Sequence, residues 1–164
     1  MVAVVAALAG CAEAEVEVAA PEVASVERVG DGDTLDLRGG ERVRLLQIDA
    51  PELGEGECYA RASLRDLERL AGEGTRVHLE ADPDLDDRDR YRRLLRYVRV
   101  DGTLVNLELV RLGAATPYFR GGDEGVHADA LLAAVEEARA DRRGMWGACR
   151  VTWEPDRAVV TRSR

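Results

Sequence analysis

The amino-acid sequence predicts a mainly β fold with helices: a small five-stranded barrel with about three α-helices packed outside it. Short alternating apolar segments between glycine turns read as five strands, one helical stripe falls between the third and the fourth, and the other helical patterns follow the fifth. That order excludes the alternating strand and helix units of a parallel sheet. With 164 residues, 46% of them hydrophobic, the chain can build one core but not several domains.

The first three strands are Val26 to Val29, Thr34 to Arg38 and Arg42 to Ile48, a meander joined at Gly30-Asp31-Gly32 and Gly39-Gly40. From Tyr59 to Ala71 the period changes, and Ala60, Leu64, Leu67 and Ala71 form one helical stripe that Gly72 and Gly74 terminate. Thr75 to Glu80 and Leu94 to Val100 are again extended, joined by the polar stretch Ala81 to Arg93; Asp101-Gly102 then marks a turn. Val105, Leu109 and Leu112 predict a short helix ending at Gly113. Ala128, Leu131, Val135 and Ala138 predict a longer one ending at Gly144 behind Arg142 and Arg143. Five strands with a helix between the third and fourth fit an OB-fold-type Greek-key barrel.

The folded domain is therefore expected over 26–149, with a C-terminal tail at 150–164. Met1 to Gly10 is an apolar run too short to span a bilayer, which takes about 20 such residues. It reads as a signal-peptide core without the usual basic leader, and Leu8-Ala9-Gly10-Cys11 resembles the bacterial lipobox, whose cysteine is lipidated. Residues 1–11 are thus expected to be a signal peptide with lipobox, and 12–25 an acidic, alanine-rich spacer. An apolar N-terminal strand is the other reading. Export would make the chain secreted or a cell-surface lipoprotein, with a lipid anchor in the membrane. If Cys11 carries lipid, Cys58 and Cys149 remain as one pair that an oxidising compartment could join; two buried free thiols are the alternative.

Asp and Glu number 32 against 23 basic residues, all of them arginine, for a formal charge of -9. This balance argues against coating nucleic acid through overall charge but leaves room for a local basic cleft. Alternate strand residues share a face, and Asp33 has the parity of Leu35 and Leu37, Arg44 that of Leu46 and Ile48, and Arg93 that of Leu95 and Tyr97. Charges on apolar parity need partners, and convergence at one mouth of the barrel supplies them; solvated strand ends are the alternative for each taken singly. Asp49-Ala50-Pro51-Glu52 adds two carboxylates just after the third strand, although alone it is a proline turn, as Asp31-Gly32-Asp33-Thr34 alone is a hairpin turn. Together, Asp33, Asp49 and Glu52 offer hard oxygen ligands or bases, while Arg44 and Arg93 offer planar donors for phosphate oxygens. That mixture points to phosphodiester chemistry.

Five collinear pieces resemble the staphylococcal-nuclease-like, or thermonuclease, family: Asp31 to Thr34, Arg44 to Glu52, Asp89 to Arg93, Asn106 with Leu109 to Arg111 and Gly113, and Gly144-Met145-Trp146. The family fold is the same five-stranded barrel. The resemblance implies that Asp33 and Asp49 bind calcium with the backbone carbonyl of Ala50, that Glu52 positions or deprotonates the attacking water, and that Arg44 and Arg93 clamp the phosphate. It also implies substrate contacts from Tyr91 and Tyr118. The family commonly has threonine at Ala50, where the carbonyl contact survives the change, and glycine at Arg92, which bears on the turn that aims Arg93.

The acidic run Asp82, Asp84, Asp86, Asp87 and Asp89 lacks the glycine and glutamate of an EF-hand and is expected to be a solvated loop. The arginines from Arg88 to Arg99 form a basic stretch around Tyr91 and Tyr97 that could guide a nucleic-acid backbone. His78 and His127 have no metal-ligand spacing, and neither a serine-hydrolase elbow nor a phosphate-cradling glycine loop is present. The expectation is an exported, calcium-dependent nuclease acting on DNA and RNA with low sequence specificity and no obligate protein partner. The alternative is a noncatalytic barrel that binds nucleic acid or a protein; retention of all five charged positions favours the enzyme.

Overall fold

The computed structural model describes residues 22–164; the expected export segment with Cys11, and the spacer up to residue 21, lie outside them. Strands β1 (Glu22–Asp31), β2 (Thr34–Leu37) and β3 (Arg42–Leu45) form the meander, and β4 (Ile48–Asp49) follows. Helix α1 (Ala60–Ala71) leads to β5 (Arg76–Glu80), β6 (Leu94–Val100) and β7 (Thr103–Leu104). Then come α2 (Val105–Arg111), β8 (Thr116–Pro117), a 3-10 turn (Arg120–Gly122), α3 (Ala128–Ala140) and α4 (Met145–Ala148). The hairpin β9 (Cys149–Thr152) and β10 (Val160–Ser163) ends the chain.

The sheet runs β3-β2-β1-β5-β6-β7, and a parallel pairing of β3 with β6 closes β1, β2, β3, β5 and β6 into a mixed five-stranded barrel. β1 serves two neighbours in turn: Glu22 to Ser25 pair with β5, and Val26 to Asp31 with β2. The first strand thus begins at Glu22, ahead of the expected Val26, because its start completes the β5 ladder. Inward residues Val26, Leu35, Val43, Leu45, Val77 and Val98 are all buried, and Leu67 of α1, Leu109 of α2 and Leu131 and Val135 of α3 cap the same core. Asn106 is wholly buried and pins α2 to the barrel, accepting from Val98 N at 2.9 Å and donating to the Leu46 carbonyl at 2.9 Å.

The third strand ends at Leu45 rather than at the expected Ile48. Gln47 takes a left-handed conformation (φ 58°), which breaks the alternation, and Ile48 and Asp49 form a separate short strand against Thr116 and Pro117. The terminal segment 150–164 is docked. Trp153 Nε1 donates to the Pro117 carbonyl at 2.8 Å, Phe119 N to the Pro155 carbonyl at 2.6 Å, and Thr161 and Val159 are buried.

Cys58 and Cys149 form a disulfide, with Cα atoms 6.0 Å apart and a sequence separation of 91. It ties the loop before α1 to the first residue of the hairpin. Crosslinking so distant a pair restricts the unfolded chain, a contribution of about 4.6 kcal/mol by the loop-entropy argument. Replacing both cysteines with alanine should therefore lower unfolding free energy by about 4.6 kcal/mol, read as a lower denaturation midpoint in urea; an unchanged midpoint contradicts it.

Candidate active site

The turn between β1 and β2 places Asp33 at the barrel mouth. Gly32 is required there, because a Cβ on it would overlap the Ser63 hydroxyl and lie 2.7 Å from the Ala50 Cβ. Asp33 is buried; its Oδ1 accepts from the Thr34 hydroxyl at 2.9 Å and its Oδ2 from Ala50 N at 3.1 Å. Asp49, also buried, comes from β4, and its Oδ2 accepts from Val159 N of the terminal hairpin at 2.9 Å. Arg44 lies between the two. Its Nη2 is 2.9 Å from Asp33 Oδ2 and 2.8 Å from Asp49 Oδ1, while Nη1 donates to the carbonyls of Leu45 and Ile48. Four acceptors hold this guanidinium, so its direction is set before any ligand arrives.

Glu52 and Asp31 bring two further carboxyls to the same place. Partial burial, then the charges of Asp33, Asp31 and Asp49, push the Glu52 carboxyl up to about 7. Burial also raises Asp31, where the neighbouring Asp33 adds repulsion. Asp49 is pushed up to about 6 by burial, against the pull of Arg44 and with further repulsion from Asp33. Four acids thus crowd around one cation.

Arg93 comes from the loop before β6. Asp89 holds it with Oδ2, 2.7 Å from both Nε and Nη2, while Asp89 Oδ1 accepts from the backbone N–H groups of Tyr91 and Arg93. Burial opposes ionisation of Asp89, but the Arg93 guanidinium outweighs it and holds the carboxyl below its usual range. Arg92 sits inside this turn at φ 65°, the left-handed region that favours glycine, which accounts for the family's glycine there; Arg92 adopts the conformation and the turn is kept. Tyr91 is exposed, and its ring faces the guanidiniums of Arg90 at 4.7 Å and Arg93 at 5.5 Å. Arg44, Arg93, Tyr91 and Tyr118 line one cleft of about 830 Å³, in which Arg120 also lies.

A sequence profile of the family described as Staphylococcal nuclease homologue matches residues 42–148. The chain belongs to this family. An "Uncharacterized endonuclease" of Escherichia coli is 39% identical over 127 residues, which cover 74% of this chain and 74% of that protein. "Endonuclease YncB" of Bacillus subtilis (strain 168) is 31% identical over 129 residues, 74% of this chain and 60% of that protein. "Endonuclease YhcR" of the same organism is 31% identical over 136 residues, 74% of this chain but 11% of that protein. Arg44, Asp49, Glu52 and Arg93 fall inside the profile match; Asp33 precedes it and the terminal hairpin follows it.

The donor chemistry of this staphylococcal nuclease homologue fits a hard divalent cation. Asp33, Asp49 and the Ala50 carbonyl are oxygen donors, and the surplus of carboxylates over guanidinium is a charge that a cation would neutralise. Among the described residues no three His, Cys, Asp or Glu side chains form a ready ligand cluster.

Two acids escaped the reading of the sequence. By sequence Asp31 belongs to a hairpin-turn motif, and Asp89 to the acidic run expected to be a solvated loop. That loop expectation is corrected at both its ends: Asp89 anchors Arg93, and Asp82 is buried, accepting from the Tyr97 hydroxyl and Val126 N at 2.9 Å each. The four-residue spacing from Asp89 to Arg93 was the available signal.

Two expectations follow from this geometry. Arg92→Gly should hold stability within about 0.5 kcal/mol, whereas Arg92→Val should cost about 1–2 kcal/mol in urea denaturation, because a β-branched residue fits the left-handed region worst. With a chelator present, stability should fall as pH rises from about 4.5 to about 7. In that window the folded chain keeps protons on Asp49 and Glu52 that the unfolded chain has released. Glu52→Gln should flatten the slope between about pH 6 and 7; an unaltered slope would show that Glu52 is not the group responsible.

Proposed function

We propose that this chain is an exported, calcium-dependent endonuclease that hydrolyses phosphodiester bonds in DNA and RNA with low sequence preference. The observation that carries the reading is the acid cluster Asp31, Asp33, Asp49 and Glu52 around Arg44, beside a cleft that also holds Arg93 and Tyr91. The names of the bacterial relatives support endonuclease action. The Cys58–Cys149 disulfide and the apolar run at residues 1–10 support an oxidising compartment outside the cytoplasm, with Cys11 as a lipid anchor.

In this reading Asp33, Asp49 and the Ala50 carbonyl hold the calcium ion. When bound, the ion polarises a phosphoryl oxygen and offsets negative charge. Arg44 and Arg93 donate to the remaining phosphate oxygens, where charge grows as water attacks, and each is already aimed by its carboxylate partners. Glu52, whose carboxyl titrates near neutrality, accepts the proton of the attacking water. Tyr91 and Tyr118 contact the substrate along the cleft without reading base edges, which accords with low sequence preference.

Incubation with single- and double-stranded DNA and RNA, with calcium or with chelator, tests this. Calcium-dependent cleavage is expected, and Asp33→Ala should abolish it while the circular dichroism of the fold persists. Binding without cleavage would instead mark a noncatalytic nucleic-acid module.

A further inference from the structure

The terminal hairpin lies beyond the family match yet reaches the acid cluster at two points. One is direct: Val159 N donates to Asp49 Oδ2 at 2.9 Å. The other runs through Glu57, a residue outside the set assigned to chemistry. Glu57 Oε1 accepts from Thr161 N of β10 at 3.0 Å, and its Oε2 accepts from the backbone N of Glu52 at 2.9 Å. A return bond from Glu57 N to the Glu52 carbonyl, 3.2 Å, closes the loop. Thr161 also donates its hydroxyl to the Cys58 carbonyl at 2.6 Å, next to the disulfide that fastens this loop to Cys149.

We infer that Glu57 is a positioning residue: it ties the backbone of Glu52 to the terminal hairpin and so fixes where the Glu52 carboxylate stands among Asp31, Asp33 and Asp49. The inference rests on the proposed nuclease reading, in which Glu52 handles the attacking water. Chemically the bridge needs a carboxylate. Both partners are N–H donors, so both side-chain oxygens must accept, and an amide at this position satisfies one while setting N–H against N–H at the other. The Glu52 carboxyl is only partly covered and meets the Asp31 carboxyl, and among the described residues no arginine pairs with it, so its backbone carries most of its placement. The hairpin supplies a rigid anchor because Val159 and Thr161 are buried, and Val159, just before β10, orients Asp49.

The test compares the oxidised full chain with its Glu57→Gln variant on single-stranded DNA at saturating calcium, with Glu55→Gln as a control. Glu55 is exposed in the same loop, so its substitution removes the same charge without touching the bridge. For Glu57→Gln, kcat per folded molecule should fall on the order of ten- to a hundredfold while KM stays within about threefold, since misplacing a base by a fraction of an ångström affects the chemical step and not substrate capture. Glu55→Gln should match wild type. A merely structural role would lower the melting temperature and the folded fraction but leave kcat per folded molecule unchanged, and that result overturns the inference. If Glu57→Gln does not fold, wild-type protein reduced at a temperature where its circular dichroism is intact gives the second measurement. Opening the Cys58–Cys149 tie should lower kcat with little change in KM, and an unchanged kcat overturns the inference. Absence of any cleavage by wild type would instead defeat the nuclease reading and the inference with it.

Discussion

Repulsion among carboxylates is the constraint around which this molecule is arranged. Asp33 and Asp49 are nearly removed from water, and two more acids stand close by, with Arg44 as the cation inside the group. Such a cluster raises the free energy of the folded state unless its members are held by donors, and the fold provides them: the Thr34 hydroxyl, the backbone of Ala50 and Val159, and Nη2 of Arg44. Each donor belongs to a different segment. The barrel, the β4 strand and the terminal hairpin therefore all meet at the acids, and a large hydrophobic core beneath keeps them there.

This arrangement is a trade of stability for readiness. Burial pushes the Asp49 and Glu52 carboxyls up, so the cluster is under electrostatic tension that Arg44 offsets only in part. Arg93 is different. Its partner Asp89 lies on its own loop, so the second guanidinium is aimed by a local turn and not by the cluster. Two arginines with independent supports flank one cleft, which lets the loop before β6 vary, as at Arg92, without disturbing Asp33 and Asp49.

The parity of Asp33 with the buried Leu35 and Leu37 points to its burial, although Asp33 lies in the turn before β2, where Thr34, of opposite parity, is buried as well. The helix between the third and fourth strands and the pairing of the strands were legible for similar reasons: period and glycine punctuation are local signals. What stayed hidden was nonlocal. Nothing in the composition of Gln47 announces a left-handed residue that ends a strand. Asp82 and Asp89 carry the same side chain as Asp84 and Asp86, and only the fold decides which of them meets Tyr97 or Arg93. The segment after Arg150 has weak periodicity because its two short strands pair with each other and lean on Pro117, Phe119 and Glu57, contacts set by the rest of the chain.

The seam where β3 meets β6 joins Val43, Arg44 and Leu45 to partners about fifty residues along the chain, a closure whose entropic cost is recovered only when the intervening helix and strands have collapsed. Arg44 sits on that seam, and the turn holding Arg93 enters it. A nascent or half-collapsed chain consequently carries every reactive side chain but no assembled centre. The two guanidiniums and the acids come into register only in the completed barrel, so any chemistry that needs them together waits on that closure.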